Sequence, residues 1–281
     1  MAYCIDAHFH LWHYSAAQYG WIDDSMQALR GDFLPAQLQA EMKAAEVQAG
    51  IAVQARQDLE ETRWLLHLAG ENTSIAGVVG WAELASAAFP AQLETLAGDR
   101  WLKGLRHILQ DEPDDGYMLR DDFNRGISLL RSAGLVYDIL IFERHLPIAV
   151  QFVDRHPEQA FVLDHLAKPK IRGGEISPWR ENVRELARRP NVFCKISGMV
   201  TEAHWQHWNA DDLRPFLEVA LECFGAKRLM AGSDWPVCTL ASSYSRWWQV
   251  LREWAAALSP DEQRSILGGN AAEVYRLETE A

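Results

Sequence analysis

The chain has few cysteines and a shortage of positive charge, and it lacks several local patterns that mark common catalytic folds. Its four cysteines, Cys4, Cys194, Cys223 and Cys238, are widely scattered with no CxxC pair, which excludes a zinc knuckle and a dithiol redox motif. Reduced, mostly buried thiols are expected. Lysine and arginine number 27 against 39 aspartates and glutamates, a net charge of −12 over 281 residues. Long-range repulsion therefore opposes nucleic acid and anionic membrane as partners. No apolar run approaches the ~20 residues of a membrane helix. The opening MAYCIDAHFHLW has none of the charged, apolar and small-residue regions of a secretory leader, so a cytoplasmic location is expected. GxGxxG, GxxxxGK(S/T) and GxSxG are all missing, which removes the usual dinucleotide site, the phosphate loop and the serine nucleophile elbow.

What is present is an alternation. Eight runs rich in β-branched and aliphatic residues fall at 3–8, 51–56, 75–82, 101–108, 135–142, 160–166, 191–197 and 228–234. Several are continuously apolar, as strands buried on both faces must be. Helical spacing fills the gaps: 35–49 opens on Pro35 and stops before Gly50, and 120–133, 178–189 and 211–224 stop before Gly134, Pro190 and Gly225. Strands alternating with helices imply parallel crossovers, and eight is the number that closes a barrel. The expected fold is α/β, a single (β/α)₈ TIM-type barrel, in one domain spanning 1–281.

In such a barrel, chemistry sits where the strands end. The first run closes on His8 and His10, two apart and therefore on one side of an extended chain. His165 ends the sixth run and Asp234 the eighth, and the first and eighth runs are neighbours once the barrel closes. This set permits hydrolysis, with Asp234 taking a proton from water while a cation polarises the carbonyl under attack. Lys103, Arg106 and His107 in WLKGLRHIL, with Lys195 in FCKISG, are the candidate polarising or substrate-binding groups, and His107 and His165 are candidate catalytic partners of Asp234. The chain carries 12 tryptophans. Trp12, Trp81, Trp205 and Trp235 fall near strand ends, where an indole can pack on a sugar ring; Trp247, Trp248 and Trp254 have helical spacing and are assigned to packing.

The ordered motifs DAHFHLW, KGLRH, LDHLAKP, KISGMVTEAHW and GSDWPV resemble the amidohydrolase superfamily, and within it the lactone-hydrolase branch, from Asp6 to Pro236. That branch includes enzymes of aldonolactones, such as L-fuconolactone and L-rhamnonolactone, and enzymes of pyrone or muconolactone carboxylates. The resemblance implies a small lactone as substrate, a metal site at His8, His10, His165 and Asp234 holding one zinc ion, and Asp234 as general base. Some relatives with similar motifs work without metal, and the oxyanion would then be held by protonated histidine or by the basic residues of KGLRH. The fifth run carries Asp138 but no histidine, and no bridging lysine or glutamate ends the fourth, which argues against a binuclear centre. A zinc-dependent decarboxylase of an aromatic or muconate-type acid, and a catalytically silent sugar-binding barrel, are the competing readings. A dicarboxylate would call for several convergent arginines; the strand ends supply only Arg106, which favours a sugar lactone.

Overall fold

The computed structural model describes residues 3–278; the expected domain limits of 1–281 extend beyond that range. Eight parallel strands follow one another around a single sheet in chain order: β1 (Ile5–Phe9), β2 (Ala49–Val53), β3 (Ile75–Gly80), β4 (Leu102–Ile108), β5 (Val136–Leu140), β6 (Phe161–Leu163), β7 (Val192–Ile196) and β8 (Leu229–Ala231). Each coincides with one of the eight apolar runs. The ring closes just beyond the strands proper, where Phe9 bridges Trp235 in parallel. There His10 N donates to Trp235 O at 2.6 Å, and Asp234 N to His8 O at 2.8 Å. The closing seam therefore runs through the residues singled out at the ends of the first and last runs.

Around the barrel lie α1 (Pro35–Ala44), α2 (Leu59–Glu71), α3 (Phe89–Leu96), α4 (Asp121–Leu130), α5 (Leu146–Asp154), α6 (Trp179–Ala187), the short α7 (Met199–Glu202), α8 (Ala210–Phe224) and α9 (Tyr244–Ala255). Local chemistry sets their starts. Pro35 occupies the first turn of α1, Asp58 accepts from Glu60 N ahead of α2, and Asn209 and Asp212 cap α8 reciprocally. The strands' outward side chains, such as Leu105, Tyr137 and Phe161, pack against Phe123, Phe152, Trp179, Trp247 and Trp248 from the helices. A smaller interior cluster of Ile5, Ala7, Ile51, Val53, Val79, Val136, Val162 and Met230 fills the lower barrel, plugged by Ala271, Tyr275 and Leu277. No described helix is long and apolar enough to cross a membrane.

One boundary differs from expectation. The helix expected over 35–49 stops at Ala44, and β2 begins at Ala49, so Gly50 is a strand residue and not a helix stop. Its place is steric: a Cβ on Gly50 would lie 2.6 Å from the Asp6 carbonyl oxygen and 2.9 Å from the Phe9 ring. Gly50→Ala must push β1 and β2 apart at that point. Overpacking of this kind costs about 1–3 kcal/mol, and urea denaturation of the variant is expected to show a loss in that range.

Candidate active site

β1 turns His8 and His10 into the barrel by departing from regular pairing; its register against β2 shifts between Asp6 and Phe9. Asp6 pins the irregular stretch. Its Oδ1 accepts the backbone N–H groups of His8 (3.1 Å) and Ser233 (2.8 Å), and its Oδ2 accepts the Tyr244 hydroxyl (3.0 Å). Burial pushes the Asp6 carboxyl up, to about 6, against those donors. On the opposite side of the barrel, His165 follows β6 with its Nδ1 2.9 Å from Ser197 Oγ. Gly198 gives that ring room, since a Cβ there would lie 2.7 Å from His165 Nδ1. His165 (φ +53°) and Asp234 (φ +59°) both hold left-handed backbone, a conformation non-glycine residues keep only where surrounding structure over-determines it.

These residues converge on one point. His8 Nε2 lies 3.2 Å from His10 Nε2, while Asp234 Oδ1 lies 3.3 Å from His10 Nε2, 3.8 Å from His8 Nε2 and 3.9 Å from His165 Nε2. His10 Nδ1 sits 2.8 Å from the Val53 carbonyl, so it carries the proton and leaves Nε2 a bare lone pair. Two nitrogens and a carboxylate oxygen at this spacing repel unless a proton or cation lies among them. Ligands about 2.0–2.1 Å from a tetrahedral zinc ion are about 3.3–3.4 Å apart, so the donor set fits a divalent ion. His8, His10 and Asp234 form one such group, and His8, Asp164 and His165 an overlapping second. Burial lowers His8 well below the usual imidazole value and His165 to about 4, so both rings are neutral at neutral pH. Burial works against the Asp234 carboxylate, but His165, His10 and His8 outweigh it and hold the group below the ordinary range.

Beneath this cluster runs a column of buried charge. The Tyr275 hydroxyl, rising from the plug, lies 2.7 and 2.9 Å from the two Asp138 oxygens. Lys195 Nζ donates to Asp138 Oδ2 (2.5 Å) and lies 3.0 Å from Asp164 Oδ1 and 3.3 Å from His8 Nδ1. Arg106 Nη1 donates to Asp164 Oδ2 (2.9 Å), and its Nη2 donates to the Gln54 carbonyl. Burial alone would raise Asp164, yet Lys195, His8 and Arg106 together hold it well below the usual range.

Above the cluster a cavity of about 130 Å³ opens between His10, Trp21, Ala55, Arg106, Gln110 and Asp111 on one part of its wall and Leu140, His165, Lys168, Asp234 and Val237 on the rest. Of the residues expected from sequence, the structure thus brings together His8, His10, His165, Asp234 and Arg106, and it moves four others away. Lys103 stands near the start of β4, where its ammonium bonds to the Arg276 carbonyl beside the plug, at the end of the barrel opposite the cavity. His107 faces outward, stacked on Tyr117 and 2.6 Å from Glu112, so it clamps the loop after β4. Trp12 is fully buried under the loop after β1, with its indole donating to Gly31 O. Lys195 lies inside the charge column with no exposed surface, out of reach of a substrate. Trp81 bonds to His107, Trp235 packs on Phe33, and it is Trp21 that reaches the cavity. Sequence reasoning missed Asp164, Lys168, Gln110 and Asp111; the first two lie in the LDHLAKP motif, one on each side of His165.

Lys195→Met leaves Asp138 and Asp164 sharing a buried space without their common cation. Breaking such a pair costs about 3–5 kcal/mol, and the loss measured by denaturation at pH 7.5 is expected in that range. Burial already lifts Asp138 to about 6 with Lys195 in place. Its protonated form, favoured as pH falls through that value, carries no unpaired charge, so the deficit of the variant should shrink at pH 5.

Comparison with known proteins accords with this architecture. The amidohydrolase family profile matches residues 5–277. An L-fucono-1,5-lactonase of Burkholderia multivorans is 44% identical over 97% of this chain and 96% of its own. An L-fucono-1,5-lactonase of Burkholderia ambifaria is 36% identical over 99% of this chain and 97% of its own. A crystal structure of an amidohydrolase from B. multivorans with bound zinc superposes with a TM-score of 0.94 at 44% identity, covering 98% of this chain and 100% of that one. With the profile spanning nearly the whole barrel and relatives this similar over their full length, the chain belongs to the amidohydrolase family.

Proposed function

We propose that this protein hydrolyses a sugar lactone, L-fucono-1,5-lactone or a close relative, to the open-chain sugar acid. The observation that carries the reading is the 44% identity to an L-fucono-1,5-lactonase over nearly all of both chains. It is supported by a base, imidazoles and a cavity at one rim. Asp234, held ionised at neutral pH, accepts a proton from the attacking water; the ring C–O bond then breaks and the departing alkoxide takes up a proton to become a hydroxyl. An alkoxide leaves more readily than an amide nitrogen, so less acid assistance is needed. His10 and His165 flank the Asp234 carboxylate, with their Nε2 atoms 3.3 and 3.9 Å from its Oδ1.

One zinc ion is assigned to His8, His10 and Asp234, with His165 alongside, on the donor geometry and on the zinc in the related crystal structure. When bound, zinc supplies positive charge that lowers the pKa of a water molecule and polarises a carbonyl. Arg106, the single arginine on the cavity wall, is committed to Asp164 and Gln54. That leaves no free guanidinium fork for a dicarboxylate and favours a neutral sugar over a carboxylated pyrone or a decarboxylase substrate.

A pH-indicator assay is expected to record acid release from L-fucono-1,5-lactone by the purified protein. Asp234→Asn should lower kcat by about 10²–10⁴-fold, the usual range for losing a general base. Elemental analysis should find one zinc per chain, lost in His10→Ala. If no lactone of a broad panel releases acid, the reading fails.

A further inference from the structure

Three of the four cations expected at the carbonyl lie elsewhere or below the site, and the fourth, Arg106, is held by Asp164. The cavity wall nevertheless carries another cation, Lys168. We propose that the Lys168 ammonium is the group that donates to the carbonyl oxygen of the bound lactone and then holds the carboxylate of the released acid; this rests on the lactonase reading above.

The backbone is the first argument. His165, Leu166, Ala167 and Lys168 hold consecutive φ angles of +53°, +55°, +58° and +52°, with no glycine among them. Residues other than glycine enter this region singly and against steric resistance, so four in a row require outside support. The support is present: the buried Trp179 indole donates to Leu166 O at 2.7 Å, Lys168 N donates to His165 O at 2.8 Å, and His165 is fixed to Ser197. The turn's outcome is to bring His165 and Lys168 to the same cavity wall.

The second argument is a census of partners. Lys195 is engaged by Asp138 and Asp164, Arg106 by Asp164, and Lys170, two residues beyond, by Glu143 at 2.9 Å. Among the described residues the Lys168 ammonium has no hydrogen-bond or ion-pair partner within 4 Å; it rests 5.3 Å from the centre of the Phe142 ring, and the half-buried Glu202 carboxylate feels its charge at longer range. In a chain with a net charge of −12, a half-buried lysine beside a carboxylate-bearing site that forms no direct ion pair keeps its N–H groups open to a ligand, with Glu202 balancing its charge from a distance. The ammonium lies over the aromatic face, a contact that positions it and still leaves N–H groups available. The chemistry requires such a donor, because negative charge develops on the carbonyl oxygen as water adds and remains on the product as a carboxylate.

The test uses Lys168→Met, which keeps the side-chain length and the same backbone demand, and Lys168→Arg, which keeps the charge. Lys168→Met is expected to lower kcat on L-fucono-1,5-lactone by about a hundredfold to a thousandfold, with KM within a few-fold and zinc content and melting temperature unchanged. Lys168→Arg should recover a substantial part of the loss. Titration calorimetry with L-fuconate should show at least tenfold weaker binding to Lys168→Met. Wild-type kcat and wild-type L-fuconate affinity in Lys168→Met would overturn the proposal while leaving the lactonase reading intact, as would a loss of kcat that tracks a loss of zinc or of folded protein. If the wild type turns over no lactone, the lactonase reading falls on its own and the L-fuconate titration decides Lys168: binding that depends on the ammonium supports it as an anion clamp, and absence of binding overturns it.

Discussion

Asp164 is the carboxylate on which the interior depends. It is fully buried, and it is the common partner of Lys195, Arg106 and His8. An unpaired charge at that depth carries a cost of several kcal/mol, about what a barrel of this size has to spare. Strands β4, β6 and β7 each contribute to the cluster, so their relative heights are set by ion-pair geometry as well as by the backbone ladder. The layers above inherit that register. His8 is fixed from below by Asp164 and Lys195, and His10 is fixed from the side by the Val53 carbonyl. The convergence of Nε2 atoms at the rim is thus a property of charge pairing one layer down.

The column also sorts the cations by role. Two cations, Lys195 and Arg106, face three carboxylates, Asp138, Asp164 and Asp234, with neutral histidines between them. Within the column the balance is one negative charge in excess, at the rim where Asp234 meets His8 and His10; the Lys168 ammonium stands on the cavity wall outside it. A divalent ion or a protonated imidazole corrects that imbalance, which gives an electrostatic reason for a cation at this point independent of ligand spacing.

Much of this was legible in the chain. The strand runs could be read because barrel strands are apolar on both faces, and His8, His10, His165 and Asp234 because titratable groups at strand ends are exceptional. The misplacements share a different cause. Whether Lys195 or Arg106 meets substrate is decided by Asp138 and Asp164, which lie dozens of residues away in sequence and become neighbours only when the barrel closes. His107 faces outward because β4 presents alternate faces, and it was the neighbouring Arg106 that turned inward. Trp12 is adjacent to the histidines in sequence but is covered by a loop whose packing involves Tyr19, Ile22 and Leu29. No local pattern encodes such coverage. The stop at Ala44 was missed because Gly50 looks the same in sequence whether it ends a helix or permits close contact between strands.

The shortest strands carry the most reactive residues. β6 and β8 have three residues each, and immediately beyond them the chain leaves the ladder and takes left-handed backbone at His165–Lys168 and at Asp234. Each such residue costs about 1–2 kcal/mol relative to ordinary backbone, so the rim is a place of stored strain. A longer β6 would keep the residues after Leu163 in the pleat, pointing alternately to the helices and to the barrel axis, and could not bring both His165 and Lys168 to the cavity. Early termination followed by a left-handed turn allows it, at a cost met by the indole of Trp179, the hydroxyl of Ser197 and the space left by Gly198. Rigidity below and strain above are therefore linked: the paired charges of the interior hold the strands firmly enough for their ends to adopt a backbone that the sequence alone would not favour.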